Sequence, residues 1–238
     1  TTALGADAVT AAKIADDAIS EEHLDATVIT GMTELAAEPA DTDEFLISDA
    51  GTLKRIDYSH FKASPGMTLL TSADITSTTS SIVIDSTYIN DTHEHYMLIL
   101  RGKDAGDGIQ MNMRYRNDAG NSTITSNYAY RIGGVAENGG GTNSDGTNLI
   151  RLSYNHPGSG ANEGFNLVLH FLSPRSNLVP TSCQWNLSSA NTSDEFRADH
   201  GMARRNDGTE KHGGFVIFFS NGGDFANGTN YELYGFKK

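Results

Sequence analysis

The chain of 238 residues is predicted to fold as an all-β protein, because turn residues interrupt it often and the hydrophobic runs between the turns are short. Glycine occurs 25 times, and Asn, Ser and Thr are frequent. Several runs alternate apolar with polar residues, as a strand with one solvated face does. The length is enough for one sizeable core, which favours a β-sandwich. The strand-like runs cover residues 82–84, 96–101, 109–116, 148–154, 165–172, 183–187 and 215–219.

Acidic residues are concentrated at the N-terminal end of the chain. Residues 1–62 contain 13 acidic and 4 basic residues, a net charge of −9, whereas residues 63–238 contain 17 acidic and 13 basic residues, a net charge of −4. Residues 63–66 (ASPG) interrupt the chain, and we place the domain boundary there. Because an acidic surface repels phosphate backbones and anionic lipids, we expect no nucleic-acid partner.

An internal repeat lies within the acidic segment. Residues 7–16 (DAVTAAKIAD) are followed directly by residues 17–26 (DAISEEHLDA). Large apolar residues recur every five positions, which fits neither the helical nor the strand period. This apolar stripe consists of Leu4, Val9, Ile14, Ile19, Leu24 and Ile29. Either the segment forms short helical turns on a solvated linker, or several parallel copies of the chain bury the stripe together around a common axis.

A second local element follows the repeat. Residues 42–56 (TDEFLISDAGTLKRI) predict two strands joined at Asp49, Ala50 and Gly51. Glycine suits the turn position that needs a positive φ, so we expect a small β-hairpin.

The single cysteine, Cys183, cannot form an intrachain disulfide, and we expect it to be a small buried residue. No apolar run is long enough for a membrane-spanning helix, and the N-terminus lacks the layout of a signal peptide. We therefore expect that the protein does not insert into a membrane and that it is assembled in a cytoplasm.

The last segment, residues 212–238 (HGGFVIFFSNGGDFANGTNYELYGFKK), contains two strand-like runs around a loop of glycine and asparagine. This pattern predicts a closing β-hairpin of the sandwich. The segment resembles the C-terminal signature of sandwich domains on bacteriophage tail fibres and other virion appendages. The matching elements are a buried run at 215–220, two glycine turns within 220–229 and the LYG element at 233–235.

The resemblance continues upstream in register, at residues 96–118, 126–130 (SNYAY) and 165–174, and covers about residues 80–238. It implies a jelly-roll-like β-sandwich and a place in a virion, and it carries over no catalytic residue. The decapeptide repeat is similar to repeats in the shafts and necks of phage fibres, which are usually trimers. Residues 42–56 likewise resemble a small module found between fibre segments.

The resemblance and the composition together predict a two-part virion appendage protein that is assembled in the host cytoplasm. Residues 1–62 form an extended or short-helical segment that mediates oligomerisation, as a homotrimer, and attachment to other virion proteins. Residues 63–238 form the displayed sandwich of a tail fibre or tail-associated receptor-binding protein, which binds a host surface glycan or protein. A capsid decoration or head-fibre protein, docked by its N-terminal segment, is the alternative. A polysaccharide depolymerase is the third possibility.

Motifs of catalysis are absent from the sequence. It contains no nucleophile elbow, Walker loop, H-E-x-x-H pair or C-x-x-C pair, so we expect no enzyme activity and no cofactor. A pair of glycosidase carboxylates can still meet in space without a sequence signature.

Two patterns could hold a metal. His93 and His95 alternate on a predicted strand, and three such pairs at a trimer axis would supply six imidazole nitrogens. The Asp-rich turns at 104–108 and 143–146 could bind Ca²⁺ through oxygen ligands. The alternative, which we favour for the histidines, is two polar residues at the start of a strand. Turn chemistry explains the aspartates equally well.

Four aromatic residues, Tyr128, Tyr130, Tyr154 and Trp185, lie in or beside loops rich in Asn, Ser and Gly. Such a mixture offers flat stacking faces and hydrogen bonds for sugar rings, so these residues are the candidates for a glycan site. The alternative, which we favour, places them in the core, because Tyr128 and Tyr130 share a strand face and Trp185 alternates with Cys183.

Overall fold

A computed structural model gives the fold of the protein. It describes residues 4–5, 8–15, 18–19, 23, 25–61, 66–106, 110–136, 142–154, 158–190, 196–206 and 208–237. Strands account for 49% of the chain and helices for 7%, which confirms the all-β class. The chain divides into two compact units, residues 1–64 and 65–238.

The first part of unit 1 contains only short helical turns in its described residues. A 3₁₀ turn covers Ala11–Lys13, and helix α1 covers Thr27–Thr30. The described members of the apolar stripe are exposed, from 42% for Ile14 to 81% for Ile29. Leu24 lies outside the described residues. A single chain therefore leaves the described part of the stripe in solvent.

The hairpin predicted over residues 42–56 is confirmed. Strands β1 (Glu44–Asp49) and β2 (Thr52–Asp57) pair antiparallel with Asp49 opposite Thr52. The turn holds Ala50 at a φ of 49° and Gly51 at a φ of 84°. These left-handed conformations are those of a type I′ turn, whose twist matches that of the two strands.

A small aromatic cluster packs the end of unit 1. Helix α2 (Tyr58–Phe61) follows β2 directly. The ring of Phe45 stacks on that of Phe61 at a centroid distance of 5.7 Å and lies 6.1 Å from that of Tyr58. These contacts fix the short helix against the hairpin.

Unit 2 is a sandwich of two antiparallel sheets. The larger sheet has eight strands in the order β3-β14-β5-β10-β11-β12-β7-β8, and the smaller has four in the order β4-β13-β6-β9. In chain order the strands are β3 (Met67–Asp74), β4 (Ser81–Ile84), β5 (His93–Gly102), β6 (Met111–Arg116), β7 (Tyr128–Ala136), β8 (Thr142–Thr147), β9 (Ile150–Arg151), β10 (Gly164–Leu172), β11 (Ser182–Ala190), β12 (Phe196–Arg205), β13 (Gly214–Phe219) and β14 (Asn230–Lys237).

Eight of these strands have the connectivity of a jelly roll. The order β3-β14-β5-β10 in the large sheet faces β4-β13-β6-β9 in the small one, and among these eight strands every step along the chain crosses between the sheets except that from β6 to β9. This is the double Greek key of a jelly roll. The jelly-roll-like sandwich implied by the resemblance is therefore present.

The closing hairpin predicted for residues 212–238 is wrong. Strand β13 pairs with β4 and β6 in the small sheet, whereas β14 pairs with β3 and β5 in the large sheet. The glycine-rich loop between them is thus a crossover from one sheet to the other. A loop of this kind has the same turn residues as a long hairpin loop, so its composition does not distinguish the two.

Aromatic rings from both sheets form the centre of the core. Phe171 of β10 contacts Tyr115 of β6 and Phe215 of β13, each at a centroid distance of 5.1 Å. At one end of the sandwich, Phe165 packs against Phe219 at 6.1 Å. All five rings are at most 4% exposed, so these contacts join the two sheets over a dry interface.

Four strands of the large sheet are additions to the jelly roll. Strands β7 and β8 are inserted between β6 and β9, and β11 and β12 between β10 and β13. Together they widen the large sheet beyond β10, where the small sheet has no matching strand. We call β11, β12, β7 and β8 the added strands.

Candidate binding surface

The outer face of the added strands is an open surface that carries side chains from three strands. Cross-strand pairing places Gln184 beside Met202 and Met202 beside Arg131. The next row places Asn186 beside His200. All five side chains point away from the core and are exposed, alternating with buried neighbours along each strand.

Two adjoining depressions lie on this face. One, of about 320 Å³, is lined by Ala129, Gln184 and Arg204 among others. The second, of about 640 Å³, is lined by Asn186 and His200 among others. Both share Arg131, Gln184 and Met202, so the depressions form one continuous trough. We call this trough the outer trough.

Two glycines shape the outer trough, Gly133 on its open face and Gly201 above the buried Trp185. A Cβ at Gly133 would lie 3.0 Å from Nε2 of His200, so the missing side chain leaves room for that imidazole. A Cβ at Gly201 would lie 2.3 Å from the indole ring of Trp185 on the inner side. Glycine at position 201 therefore lets the strand approach the large ring beneath it.

The inner side of the added strands is covered by the segment after β9. Trp185 donates its indole N–H to the carbonyl oxygen of Leu152 at 2.9 Å. The carboxylate of Asp199 accepts a hydrogen bond from the backbone N–H of Tyr154 at 2.9 Å. The guanidinium of Arg197 lies 5.2 Å from the centre of the Tyr154 ring. These contacts replace the missing strands of the small sheet and hold the floor of the outer trough in place.

A buried ion pair belongs to this covered side. Nη2 of Arg197 lies 3.6 Å from Oδ1 of Asp199, and both side chains are almost fully buried. Burial raises the pKa of Asp199, although the hydrogen bond from Tyr154 and the nearby Arg197 oppose the shift. The pair was not predicted from the sequence, and the alternation of Arg197, Asp199 and Arg205 with exposed residues is the signal that could have revealed it.

The structure corrects the proposed glycan-stacking role of three of the four aromatic residues. Tyr128, Tyr130 and Trp185 are 0%, 4% and 1% exposed, so their ring faces lie in the core. Tyr154 is partly buried and covered by Arg197. The alternation of residues along the strands therefore predicted the positions of these side chains better than the composition of the neighbouring loops did.

The paired-histidine metal site is also incompatible with the geometry. A register shift between Phe236 and Lys237, opposite His93 and His95, breaks the strand alternation. His93 is 7% exposed and lies beneath Gly235, with its ring 5.8 Å from that of Tyr96. His95 instead accepts a hydrogen bond from the backbone N–H of Ser173 through Nδ1 at 3.3 Å. The bulge therefore separates the two imidazoles that regular alternation would have aligned.

The acidic turns have local backbone roles where they are described. Asp104 is buried, and its Oδ1 accepts a hydrogen bond from the N–H of Gly106 at 3.2 Å. Residues 107 and 108 lie outside the described residues, and residues 143–146 form part of β8. No cluster of three or more His, Cys, Asp or Glu side chains suited to a metal occurs in the described part of the chain.

A second buried polar cluster was not predicted from the sequence. His212 is 1% exposed, and its Nδ1 lies 2.8 Å from Oγ1 of Thr181. Its Nε2 lies 3.4 Å from Nη1 of Arg205, and that Nη1 donates to Glu210 at 2.9 Å. Because a guanidinium only donates, Nε2 is the acceptor and the imidazole proton resides on Nδ1. Burial is the main cause that lowers the pKa of His212 to about 4.

The outer trough offers amide, imidazole and guanidinium groups around the exposed thioether of Met202. Such groups donate hydrogen bonds to hydroxyl, carbonyl or carboxylate oxygens, while Met202 supplies an apolar contact. Its lining side chains include no carboxylate among the described residues. The trough can therefore bind a polar ligand such as a sugar but does not itself supply a pair of carboxylates for hydrolysis.

Within the described residues, no helix is both long and apolar enough to cross a membrane. Comparison of the chain with models of protein families, with curated proteins and with solved structures finds no match.

Proposed function

We propose that the protein is a structural appendage protein of a bacteriophage virion, a tail fibre or tail-associated receptor-binding protein that attaches to the host surface without catalysis. The observation that carries this proposal is the outer trough on the added strands. The jelly roll closes its core with eight strands, so the added strands are not needed to complete it. They create instead a wide, polar and open face on a rigid sheet, which suits the binding of a surface ligand.

The N-terminal unit supports a further part of the proposal, which is that several copies of the chain assemble together. It leaves large apolar side chains exposed, with Leu4 at 76% and Ile29 at 81%. A monomer with so many exposed apolar side chains in one short segment would be unusual, and burial between parallel copies removes the cost. We therefore propose a homotrimer joined through residues 1–62, which also attach the sandwich to the particle.

The ligand chemistry of the outer trough favours a host glycan. Amide and imidazole groups of Gln184, Asn186 and His200 can each bond to sugar hydroxyls, and Arg131 and Arg204 add donors for carbonyl or carboxylate groups. Polar groups of this kind give specificity when they are held on regular strands. The sugar contacts would form by replacing water in an open trough.

Binding of the purified full chain to envelopes of host cells tests the proposal. Asn186→Ala, which removes an amide from the outer trough, should weaken binding at least tenfold. Asn166→Ala is the matched control, because Asn166 also faces outward from a central strand of the same sheet but lies outside the trough. Equal binding by both variants and the unmodified chain would show that the trough is not the attachment site. Release of reducing sugars from host polysaccharide would instead favour the depolymerase alternative.

A further inference from the structure

The outer face of the large sheet is divided into a polar half and an apolar half. The polar half is the face of the added strands that carries the outer trough. Across three neighbouring rows of β3, β14, β5 and β10, cross-strand pairing aligns eight apolar and four polar outward-facing side chains, the polar ones being Ser72, Glu232, His95 and His170. This apolar face consists of Met67, Leu69, Tyr234, Phe236, Met97, Ile99, Val168 and Leu172.

Register places most members of the apolar face next to one another, although His95 and His170 lie between Leu172 and the rest. Tyr234 lies opposite both Leu69 and Met97, and Ile99 lies opposite Val168. Directly opposed side chains on neighbouring antiparallel strands lie about 5 Å apart at Cβ. Met67 and Leu69 on the edge strand are 43% and 52% exposed, and the remaining members are partly exposed. A contiguous patch of this kind marks an interaction surface more often than scattered apolar residues do.

The distribution of charge on the chain indicates which partner can bind the apolar face. The chain carries a net charge of −13, so two copies repel one another unless they meet where little charge is present. Among the described residues in the rows of the apolar face, Glu232 carries the only carboxyl group, and it accepts a hydrogen bond from the hydroxyl of Tyr234 at 2.9 Å. The face is therefore the part of this acidic molecule where a second acidic copy meets least repulsion.

The positions of the exposed apolar side chains along the sequence also favour a second copy of the chain as the partner. Most of the large exposed apolar side chains fall between Leu4 and Leu69, which spans the apolar stripe, the β1–β2 hairpin and strand β3. Copies joined through their N-terminal segments would hold their sandwiches at a high effective concentration. Even a modest apolar contact between the sandwiches would then be occupied.

We propose that the apolar face is the surface through which the sandwich units of neighbouring copies of this chain pack against each other. This inference rests on the oligomeric state in the proposed function. It goes further because it assigns a second interface, in unit 2, that acts in addition to the apolar stripe. The outer trough on the other half of the sheet remains open to the host.

The experiment compares dissociation of the full-length oligomer by sedimentation over a range of concentrations. The test variant, Met97→Lys with Ile99→Lys, places two charges at alternate outward positions of β5. The matched control, Gln184→Lys with Asn186→Lys, places two charges at alternate outward positions of β11. Each of these two pairs of substitutions is also combined with Ile14→Asp and Ile19→Asp, which disrupt the apolar stripe. We call the chain with these two aspartates the stripe variant. Circular dichroism checks that every variant retains its β structure.

We expect the test variant to raise the dissociation constant of the oligomer at least tenfold over the control. In the stripe background, the control should still associate and the test variant should sediment as a monomer. Identical dissociation curves for test and control variants would overturn the second interface while leaving the oligomer of the proposed function intact. A monomeric unmodified chain at all concentrations would overturn the oligomer itself.

Discussion

The hydroxyl of Tyr128 links the two sheets of the sandwich. Tyr128 belongs to β7 of the large sheet, and its oxygen accepts a hydrogen bond from the backbone N–H of Tyr115 in β6 of the small sheet at 2.8 Å. The same hydroxyl donates to the carbonyl oxygen of Ile124 at 2.9 Å. Burial raises the pKa of Tyr128 to about 12, so the hydroxyl stays protonated and keeps both bonds at physiological pH.

Tyr128→Phe should lower the free energy of unfolding by about 1–3 kcal/mol, because it leaves the buried N–H of Tyr115 without its acceptor. Urea unfolding followed by fluorescence measures this loss. Tyr88→Phe, on a partly exposed ring, is the control and should change the stability by less than about 0.5 kcal/mol. Equal stabilities for the two variants would mean that the hydroxyl of Tyr128 does not join the sheets.

His212 should make the sandwich sensitive to acid. In the unfolded chain its pKa is the ordinary 6.5, whereas burial lowers it to about 4 in the folded protein. Above pH 6.5 the residue is neutral in both states and has no effect. As the pH falls from 6.5 to 4, the unfolded state takes up a proton that the folded state does not, so stability is lost. At about 1.4 kcal/mol for each pKa unit, the complete loss is about 3 kcal/mol.

Unfolding free energies measured at several pH values between 7 and 4 test this expectation. His212→Asn should flatten the dependence relative to the unmodified chain, because the group that titrates is gone. Asn166→Ala, at an exposed position without a titratable side chain, is the control and should leave the dependence unchanged. If His212→Asn retained the full slope between pH 6.5 and 5, other groups would be responsible.

The pairing of a strand with a local partner was predictable from the sequence, and the pairing of a strand with a distant partner was not. The β1–β2 hairpin has a two-residue turn with two positive φ values, at Ala50 and Gly51, and the glycine is the residue that marks this turn in the sequence. Strands β13 and β14 are also neighbours in sequence, but each pairs with strands from the start of the unit. Pairing over such distances depends on the whole core, so a local pattern predicts the strands without their partners.

The candidate site, too, could be predicted only where it depends on the pattern of a single strand. Alternation along β7 and β11 predicted that Tyr128, Tyr130 and Trp185 share a buried face, and the structure places them in the core. The outer trough, by contrast, is assembled from β7, β11 and β12, and only the register between them brings Arg131, Gln184 and Met202 together. The bulge beside His93 was equally hidden, because an irregularity in pairing leaves no clear mark on one strand.

Strand β13 offers an internal comparison of its two faces. Phe215 is fully buried between the sheets, whereas Phe218 faces outward and is partly covered by Arg114, whose guanidinium lies 4.8 Å from the ring centre. Phe215→Ala should therefore cost about 3–5 kcal/mol, as for other buried aromatic residues, and Phe218→Ala clearly less. Thermal unfolding of both variants measures the difference. A larger loss for Phe218→Ala would place the core on the wrong face of this strand.

Across the whole chain, the two units differ in how far their large apolar residues are buried. The buried residues of the core belong to unit 2, and the described large apolar residues of unit 1 are largely exposed. Deletion of residues 1–62 should therefore leave a folded all-β domain that no longer joins the particle. Circular dichroism and the protein content of purified particles measure the two effects. Normal incorporation of the shortened chain would show that residues 1–62 are not the attachment segment.

We expect the protein to be a displayed appendage of a phage particle. Electron microscopy of purified particles, labelled with gold-conjugated antibody against residues 66–238, tests this proposal. We expect gold at the tail, on projections that reach outward from the particle. Label on the capsid shell would contradict the tail assignment in favour of a head fibre or decoration protein, and particles without label would contradict the appendage assignment altogether.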